Sequence, residues 1–294
     1  MPTVEELLDE AEDAISRSKA VDLWRASDAR VNAEELMSEV LGKQVVSEDL
    51  EDRLVAKQAA RYRSLLARRV AGEPVAMILG TTEFMGLDMK VRKGVFIPRN
   101  SSELLAGEAI RRLRGRSNSV AVDVATGSGP VALAVAHALP QASVWGVDIS
   151  TRALKLAQEN AKKLRIPNVR FLKSDMLKAL PSDLKGRVDA FTIHPPYVAS
   201  WEIKLLPTEI RDFEPVHTLT DRSNDGLDLV RKLGEDAADW LRPGGWVLVE
   251  VSPNLSRRVK SILHRAGIPN SKSIRDSLGA TRVVCGSLSR LASG

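Results

Sequence analysis

Only one cysteine, Cys285, occurs in this chain of 294 residues, which rules out an internal disulfide framework. Four scattered histidines add no metal-ligand cluster to it, so no resident metal is expected. Aromatics are 4% of the residues, too few for an exposed base-stacking platform. Long apolar runs are missing as well. The longest, Val131 to Leu139, contains His137 and is far shorter than a membrane span requires. The opening segment, Met1-Pro2-Thr3-Val4-Glu5-Glu6, is acidic and has no apolar signal core. Together these absences point to a reducing, cytoplasmic setting away from membranes.

What is present is a mixed composition with 44% hydrophobic residues, enough for one large domain or two smaller ones with real cores. The net charge of +5 permits contact with nucleic acid or a ribonucleoprotein, and equally describes a soluble protein with a basic surface. Nucleic acid therefore enters only as an indirect partner.

Residues 1–73 carry helix signals and no strand signals, which predicts a small helical domain. Thr3 with Glu6 fits a capping box, as does Asn32 with Glu35 ahead of Leu36, Val40 and Leu41. Val55, Ala59, Tyr62 and Leu66 keep helical spacing in the charged stretch from Glu48 to Val70. Residues 74–100 alternate strand-like patches, Met77-Ile78-Leu79 among them, with turn glycines, and read as a β-hairpin linker. Asn100 with Glu103 fits the cap of a further helix. In the remainder, 101–294, strands at 119–124, 143–147, 169–173, 188–193, 246–251 and 281–287 alternate with helices. That pattern predicts an α/β domain with a mostly parallel sheet covered on both faces.

Two places in this domain carry chemistry. The strand Val188 to Ile193 runs into His194-Pro195-Pro196-Tyr197. Two successive prolines lack the N–H that helix or central strand needs, so the carbonyls of this turn stay available to a ligand. Tyr197 adds a flat ring with a polar tip, and the group suits a planar nitrogen-bearing substrate. The second place is Val120 to Val124 followed by Ala125-Thr126-Gly127-Ser128-Gly129-Pro130, a strand, a glycine loop and a helix start. Such a loop lets a ligand approach the backbone, and the helix N-terminus favours a negative group. Asp148, at the end of the next strand, suits both hydroxyls of a ribose. Asp175, after the third strand, is placed to reach an adenine amino group. A nicotinamide cofactor is disfavoured, because the third glycine of G-x-G-x-x-G is missing and Asp123 sits inside the first strand.

These residues, in this order, resemble the HemK/PrmC family of release-factor glutamine methyltransferases. The likeness runs through Gly72-Glu73-Pro74-Val75-Ala76, Gly80-x-x-x-Phe84, Ile97-Pro98-Arg99, Asp123-x-x-Thr126-Gly127-Ser128-Gly129, Val147-Asp148, Asn160-Ala161, Ser174-Asp175 and Pro195-Pro196-Tyr197. It continues through Phe213-Glu214-Pro215, Gly244-Gly245 and Arg275-Asp276-x-x-Gly279-x-x-Arg282-Val283. The resemblance implies a class I S-adenosylmethionine methyltransferase fold, Rossmann-like, behind a helical substrate-binding domain. It implies S-adenosylmethionine as cofactor, held by Thr126, Gly127, Ser128, Gly129, Asp148, Asp175 and His194. It further implies a catalytic group of His194, Pro195, Pro196 and Tyr197, substrate contacts from Phe84, Arg99 and Tyr197, and a peptide chain release factor as partner, methylated at N5 of a Gly-Gly-Gln glutamine.

The chain departs from the family at three points, one of them Met85, which follows Phe84 where the family often has an aromatic. The family turn reads N-P-P-Y, in which the asparagine carboxamide and the first proline carbonyl accept the two N–H groups of the substrate amide; here the first residue is His194. Asn100-Ser101-Ser102-Glu103 stands where the family usually has P-D-T-E. A neutral imidazole still accepts one N–H, whereas a protonated one accepts none. Histidine is also the usual general base, which leaves open a small-molecule hydroxyl, carboxyl or amine acceptor. A nucleic-acid base methyltransferase and an inactive binding protein are the remaining alternatives.

Overall fold

The structure is a computed structural model and describes residues 1–289 apart from residues 24 and 26. It divides into two compact units.

The first unit comprises Met1–Thr81 with Val91–Gly94 and Lys204–Pro215. Helix α1 (Val4–Ser16) opens on the expected capping box: Thr3 Oγ1 accepts from Glu6 N at 3.2 Å, and Glu6 Oε2 accepts from Thr3 N at 2.9 Å. Its Leu7, Leu8, Ala11 and Ile15 pack with Leu36 and Met37 of α2 (Asp28–Leu41) and with Tyr62 and Leu66 of α3 (Ala56–Val70). The second expected box does not form. Helix α2 starts at Asp28, so Asn32 lies inside it and its Oδ1 accepts from Arg69 Nε at 2.6 Å. Arg69 also pairs with Glu209 at 2.8 Å, which ties Lys204–Pro215 to α3. Met77-Ile78-Leu79, expected as strand, is part of the short helix α4 (Val75–Leu79). Pro74 nucleates it, its carbonyl accepting from Met77 N and Ile78 N at 2.9 and 3.0 Å. Val75 and Ile78, three apart, then share the buried face.

The second unit begins at Thr82, within the hairpin of β1 (Thr81–Phe84) and β2 (Leu87–Lys90). Phe84 and Met89 pack on Leu105 of α5 (Ser101–Leu113). Asn100 makes no side-chain cap for α5, and Glu103 Oε1 instead accepts from Met85 N at 2.9 Å, tying hairpin to helix. Then come β3 (Val120–Val124), α6 (Pro130–Ala138), β4 (Ser143–Asp148), α7 (Thr151–Leu164), β5 (Val169–Lys173) and β6 (Val188–Ile193). Helix Asp228–Trp240 leads straight into β7 (Leu241–Glu250), and helix Ser256–Arg265 precedes β8 (Lys272–Arg275) and β9 (Thr281–Ser287).

These last seven strands form one sheet in the order β5-β4-β3-β6-β7-β9-β8. Strands β3 to β7 pair in parallel, while β9 is antiparallel to both β7 and β8. Side chains alternate between two cores. Val122, Val124, Phe191 and Val247 face one, and Ala121, Val144, Ala190 and Leu248 face the other. Burial on both faces is why these strands read as continuous apolar runs. The chain runs outward from β3 to β5, then returns to place β6 on the other side of β3. Ligands bind at such a switch point, beyond the carboxyl ends of the strands.

Among the described residues no helix is long and apolar enough to cross a membrane.

Candidate active site

Strand register decides what meets at the switch point. Val124 pairs with Ile193 and with Val147, so the segments after β3, β6 and β4 leave the sheet at the same edge. Thr126–Gly129, His194–Tyr197 and Asp148 therefore gather there.

The loop after β3 is held in a shape that L-residues adopt with difficulty. Ala125, Gly127 and Gly129 all lie in the left-handed region, at φ of 55°, 57° and 86°. Thr126 N donates to the Val147 carbonyl at 3.0 Å. Asp148 Oδ2 accepts from Gly127 N at 2.9 Å, and its Oδ1 from Ser150 N at 2.8 Å. Burial pushes the Asp148 carboxyl above its ordinary value, while those backbone N–H groups and the nearby His217 act against the rise. Ser128 Oγ is buried with no hydrogen-bond partner, an orphan polar atom beside the loop.

Asp123 anchors the loop from below. Its Oδ2 accepts from Thr126 Oγ1 at 2.6 Å and its Oδ1 from Thr192 Oγ1 at 2.7 Å, which joins the loop to β6. Burial pushes its carboxyl up to about 6. Between the unfolded value of about 3.8 and that raised value the folded state holds a proton the unfolded state has lost, so stability falls as pH rises through that window. An Asp123→Asn variant does not titrate. Its unfolding free energy relative to the wild type is expected to climb by about 2 kcal/mol from pH 4 to pH 8, measured by denaturant unfolding. A pH-independent difference would contradict the assignment.

The turn after β6 is braced from the far side. Val198 N donates to the Leu219 carbonyl at 3.0 Å, and Asp221 N to the Pro196 carbonyl at 3.1 Å. The Pro195 carbonyl receives no hydrogen bond among the described residues. His194 stacks on Tyr197 with ring centroids 5.6 Å apart and meets Phe96 edge-on at 5.4 Å. The Arg99 guanidinium lies over Phe96 at 4.8 Å. Burial lowers the His194 pKa; the Glu250 carboxylate opposes this and the Arg99 charge adds to it. Burial raises the Tyr197 phenol, with Glu250 adding to the rise, so it is un-ionised at neutral pH.

Two expected site residues are placed differently. Phe84 is fully buried against Met89 and Leu105, so it packs the hairpin and has no face for substrate. Asp175 is exposed and ion-paired with Lys178, which holds its carboxyl below the usual range; any adenine contact must compete with that pair. The sequence reasoning missed Phe96, Ser101, Ser102 and Glu250, all of which surround His194 directly or through one another.

The left-handed loop, the orphan Ser128 hydroxyl and the strand-end carboxylate of Asp148 fit S-adenosylmethionine. Thr126 to Gly129 would hold its amino-acid end and Asp148 its ribose.

Comparison with known proteins bears on the family and the fold. Residues 6–80 match the PrmC N-terminal domain, and residues 116–249 match a methyltransferase domain. The release factor glutamine methyltransferase of Geobacter sulfurreducens is 35% identical, over 88% of this chain and 89% of that one. That of Bordetella pertussis is 37% identical, over 88% and 95%. That of Burkholderia pseudomallei is 36% identical, over 93% and 97%. Among solved structures, a T. thermophilus 16S rRNA methyltransferase in complex with AdoMet and guanosine superposes with a TM-score of 0.53 at 19% identity, covering 71% of this chain and 49% of that one. A Pyrococcus furiosus methyltransferase gives 0.51 at 20% identity, covering 70% and 90%. These structures share the fold.

Proposed function

Because the chain belongs to the family of release factor glutamine methyltransferases, we propose that it methylates the side-chain amide nitrogen of the Gly-Gly-Gln glutamine in a peptide chain release factor, in the cytoplasm. Bound S-adenosylmethionine supplies an electrophilic methyl group. The observation that carries this reading is the Val124–Ile193 register, which brings the glycine loop and the Pro-Pro turn out of adjacent strands at one edge.

The protein's own task is orientation. An amide nitrogen is a poor nucleophile, and fixing it in line with the methyl group is worth several powers of ten in rate. The open Pro195 carbonyl accepts one N–H of the glutamine amide, and neutral His194 accepts the other. Pro196, whose carbonyl is engaged by Asp221, fixes the turn. Tyr197 supports the His194 ring by stacking. Arg99, whose guanidinium lies over Phe96, is assigned to contact with the substrate.

A protonated His194 donates at both nitrogens and accepts nothing. Burial keeps it neutral below its ordinary value. Activity is therefore expected to stay level down to about pH 6.5, the unperturbed histidine value, and to fall only below it. The kcat/KM profile measures this; an acid limb centred above that value would contradict it.

A histidine backed by a carboxylate, Nδ1 lying 3.4 Å from Glu250, also suits a general base for a small-molecule hydroxyl, carboxyl or amine. One labelling experiment separates the two. The protein is incubated with methyl-labelled S-adenosylmethionine and a release factor, its Gln-to-Ala variant, or a metabolite extract. Label on the intact factor alone is the expected result. Label confined to the small-molecule fraction overturns the glutamine reading in favour of the second.

A further inference from the structure

Two of the departures of this chain from its family meet in space. His194 and Ser102 lie 92 residues apart in sequence, yet Ser102 Oγ is 3.1 Å from His194 Nδ1. A second oxygen faces the same nitrogen: Glu250 Oε2, at 3.4 Å. The sheet explains the encounter. Ile193 of β6 pairs with Val249 of β7, so the next residues, His194 and Glu250, emerge side by side. Glu250 is 2% exposed. Its Oε1 accepts from Ser101 Oγ at 2.7 Å, and its buried Oε2 makes no conventional hydrogen bond.

An ionised carboxylate only accepts hydrogen bonds. Facing an accepting Oε2 at 3.4 Å, Nδ1 is complementary only as an N–H; a bare Nδ1 would set one lone pair against another. A neutral imidazole carries one ring proton, so placing it on Nδ1 leaves Nε2 bare. The Ser102 hydroxyl suits either tautomer, donating to a bare Nδ1 or accepting from an N–H, so the Glu250 oxygen decides between them and Ser102 then accepts a share of the N–H. Phe96 and Tyr197 confine the ring plane from two sides.

We infer that Glu250 and Ser102 are positioning residues that hold His194 as its Nδ1–H tautomer, so that Nε2 accepts a hydrogen of the methyl acceptor as an asparagine oxygen would. The inference rests on the proposed role of His194 at the methyl-transfer site and deepens it. Other charges bear on the ring from its surroundings: Arg99 from the segment ahead of α5 directly, and Arg282 from β9 through its effect on Tyr197.

The test needs no turnover for its first part. The full chain is labelled with ¹⁵N-histidine, and the His194 signals are identified by their loss in His194→Asn. The expected spectrum at neutral pH shows a protonated Nδ1 and a bare Nε2; the reverse pattern overturns the inference. The second part is a cycle. Glu250→Gln is expected to lower kcat by roughly tenfold to a hundredfold, the usual size of a lost orienting contact. The acid limb should also move to lower pH, since the carboxylate that favours protonation is gone. In a His194→Asn background, where no tautomer needs fixing, the same change should cost less than about threefold by the same reasoning. Equal losses in both backgrounds would assign Glu250 a merely structural role and overturn the inference. If the spectrum is as expected but no release factor is methylated, the glutamine reading fails while the tautomer assignment stands.

Discussion

Gly226→Ala is expected to lower kcat about a hundredfold while leaving the affinity for S-adenosylmethionine within about threefold of the wild type. Gly226 backs the turn that carries the proposed chemistry. A Cβ built on it would lie 2.0 Å from the Tyr197 carbonyl oxygen and 2.5 Å from the Tyr197 carbonyl carbon. Both are backbone atoms, so no rotamer change relieves the overlap. The position also has φ of +67°, where a side chain costs about 1–2 kcal/mol. The turn must therefore shift by an ångström or more. A misplacement of that size at reacting groups costs about a hundredfold. The glycine loop and Asp148 lie on other strands and keep their contacts, which is why cofactor binding should persist and should report that the variant is folded. Single-turnover methylation alongside calorimetric titration measures both quantities. A kcat within a few-fold of wild type would mean that the Pro-Pro turn does not orient the acceptor.

Asp148→Ala should act in the opposite sense, on binding more than on the chemical step. The carboxylate is fixed at the end of β4 by Gly127 N and Ser150 N, which leaves it oriented before any ligand arrives. Hydrogen bonds to a charged group contribute about 1.5–3 kcal/mol each, and a ribose offers two hydroxyls. The dissociation constant for S-adenosylmethionine is expected to rise by at least about a hundredfold, with kcat at saturating cofactor less affected. An affinity unchanged within a few-fold, by calorimetry, would remove Asp148 from the cofactor site.

Much of the sheet was legible because buried parallel strands leave a strong mark. Val169–Lys173 and Val188–Ile193 form over the expected residues, and the loop and turn that follow β3 and β6 are where glycine and proline put them. Errors arose where a local signal met a long-range partner. Asn32 looks like a helix cap but serves Arg69 from inside α2. Glu103 looks like the third residue of a capping box but holds the hairpin at Met85. Met77-Ile78-Leu79 is too short for its period to distinguish strand from helix, and Pro74 decides the matter. Strand β8 was missed because Lys272–Arg275 is a short strand at the sheet edge with one apolar residue, Ile274.

The candidate site divides the same way. Thr126, Asp148, His194 and Pro195 lie at or just beyond the carboxyl ends of neighbouring strands whose order is encoded in local patterns, so their gathering was legible. Glu250 and Ser102 reach His194 only through the pairing of β6 with β7 and the placement of α5. No spacing in the sequence announces either contact. The one available signal was that two unusual segments, 100–103 and 194, occur in the same chain. Phe84 shows the reverse failure: a motif residue taken for a substrate contact whose ring proves to be core.

In the proposed reaction the Pro195 carbonyl and His194 receive the acceptor amide at the methyl end of a cofactor seated on Thr126–Gly129. A crystal structure of the protein with S-adenosylhomocysteine and a Gly-Gly-Gln peptide tests it most directly. The glutamine amide nitrogen should lie within hydrogen-bond distance of both the Pro195 oxygen and His194 Nε2, facing the cofactor sulfur. A glutamine side chain bound elsewhere, or a sulfur turned away from Pro195, would contradict it.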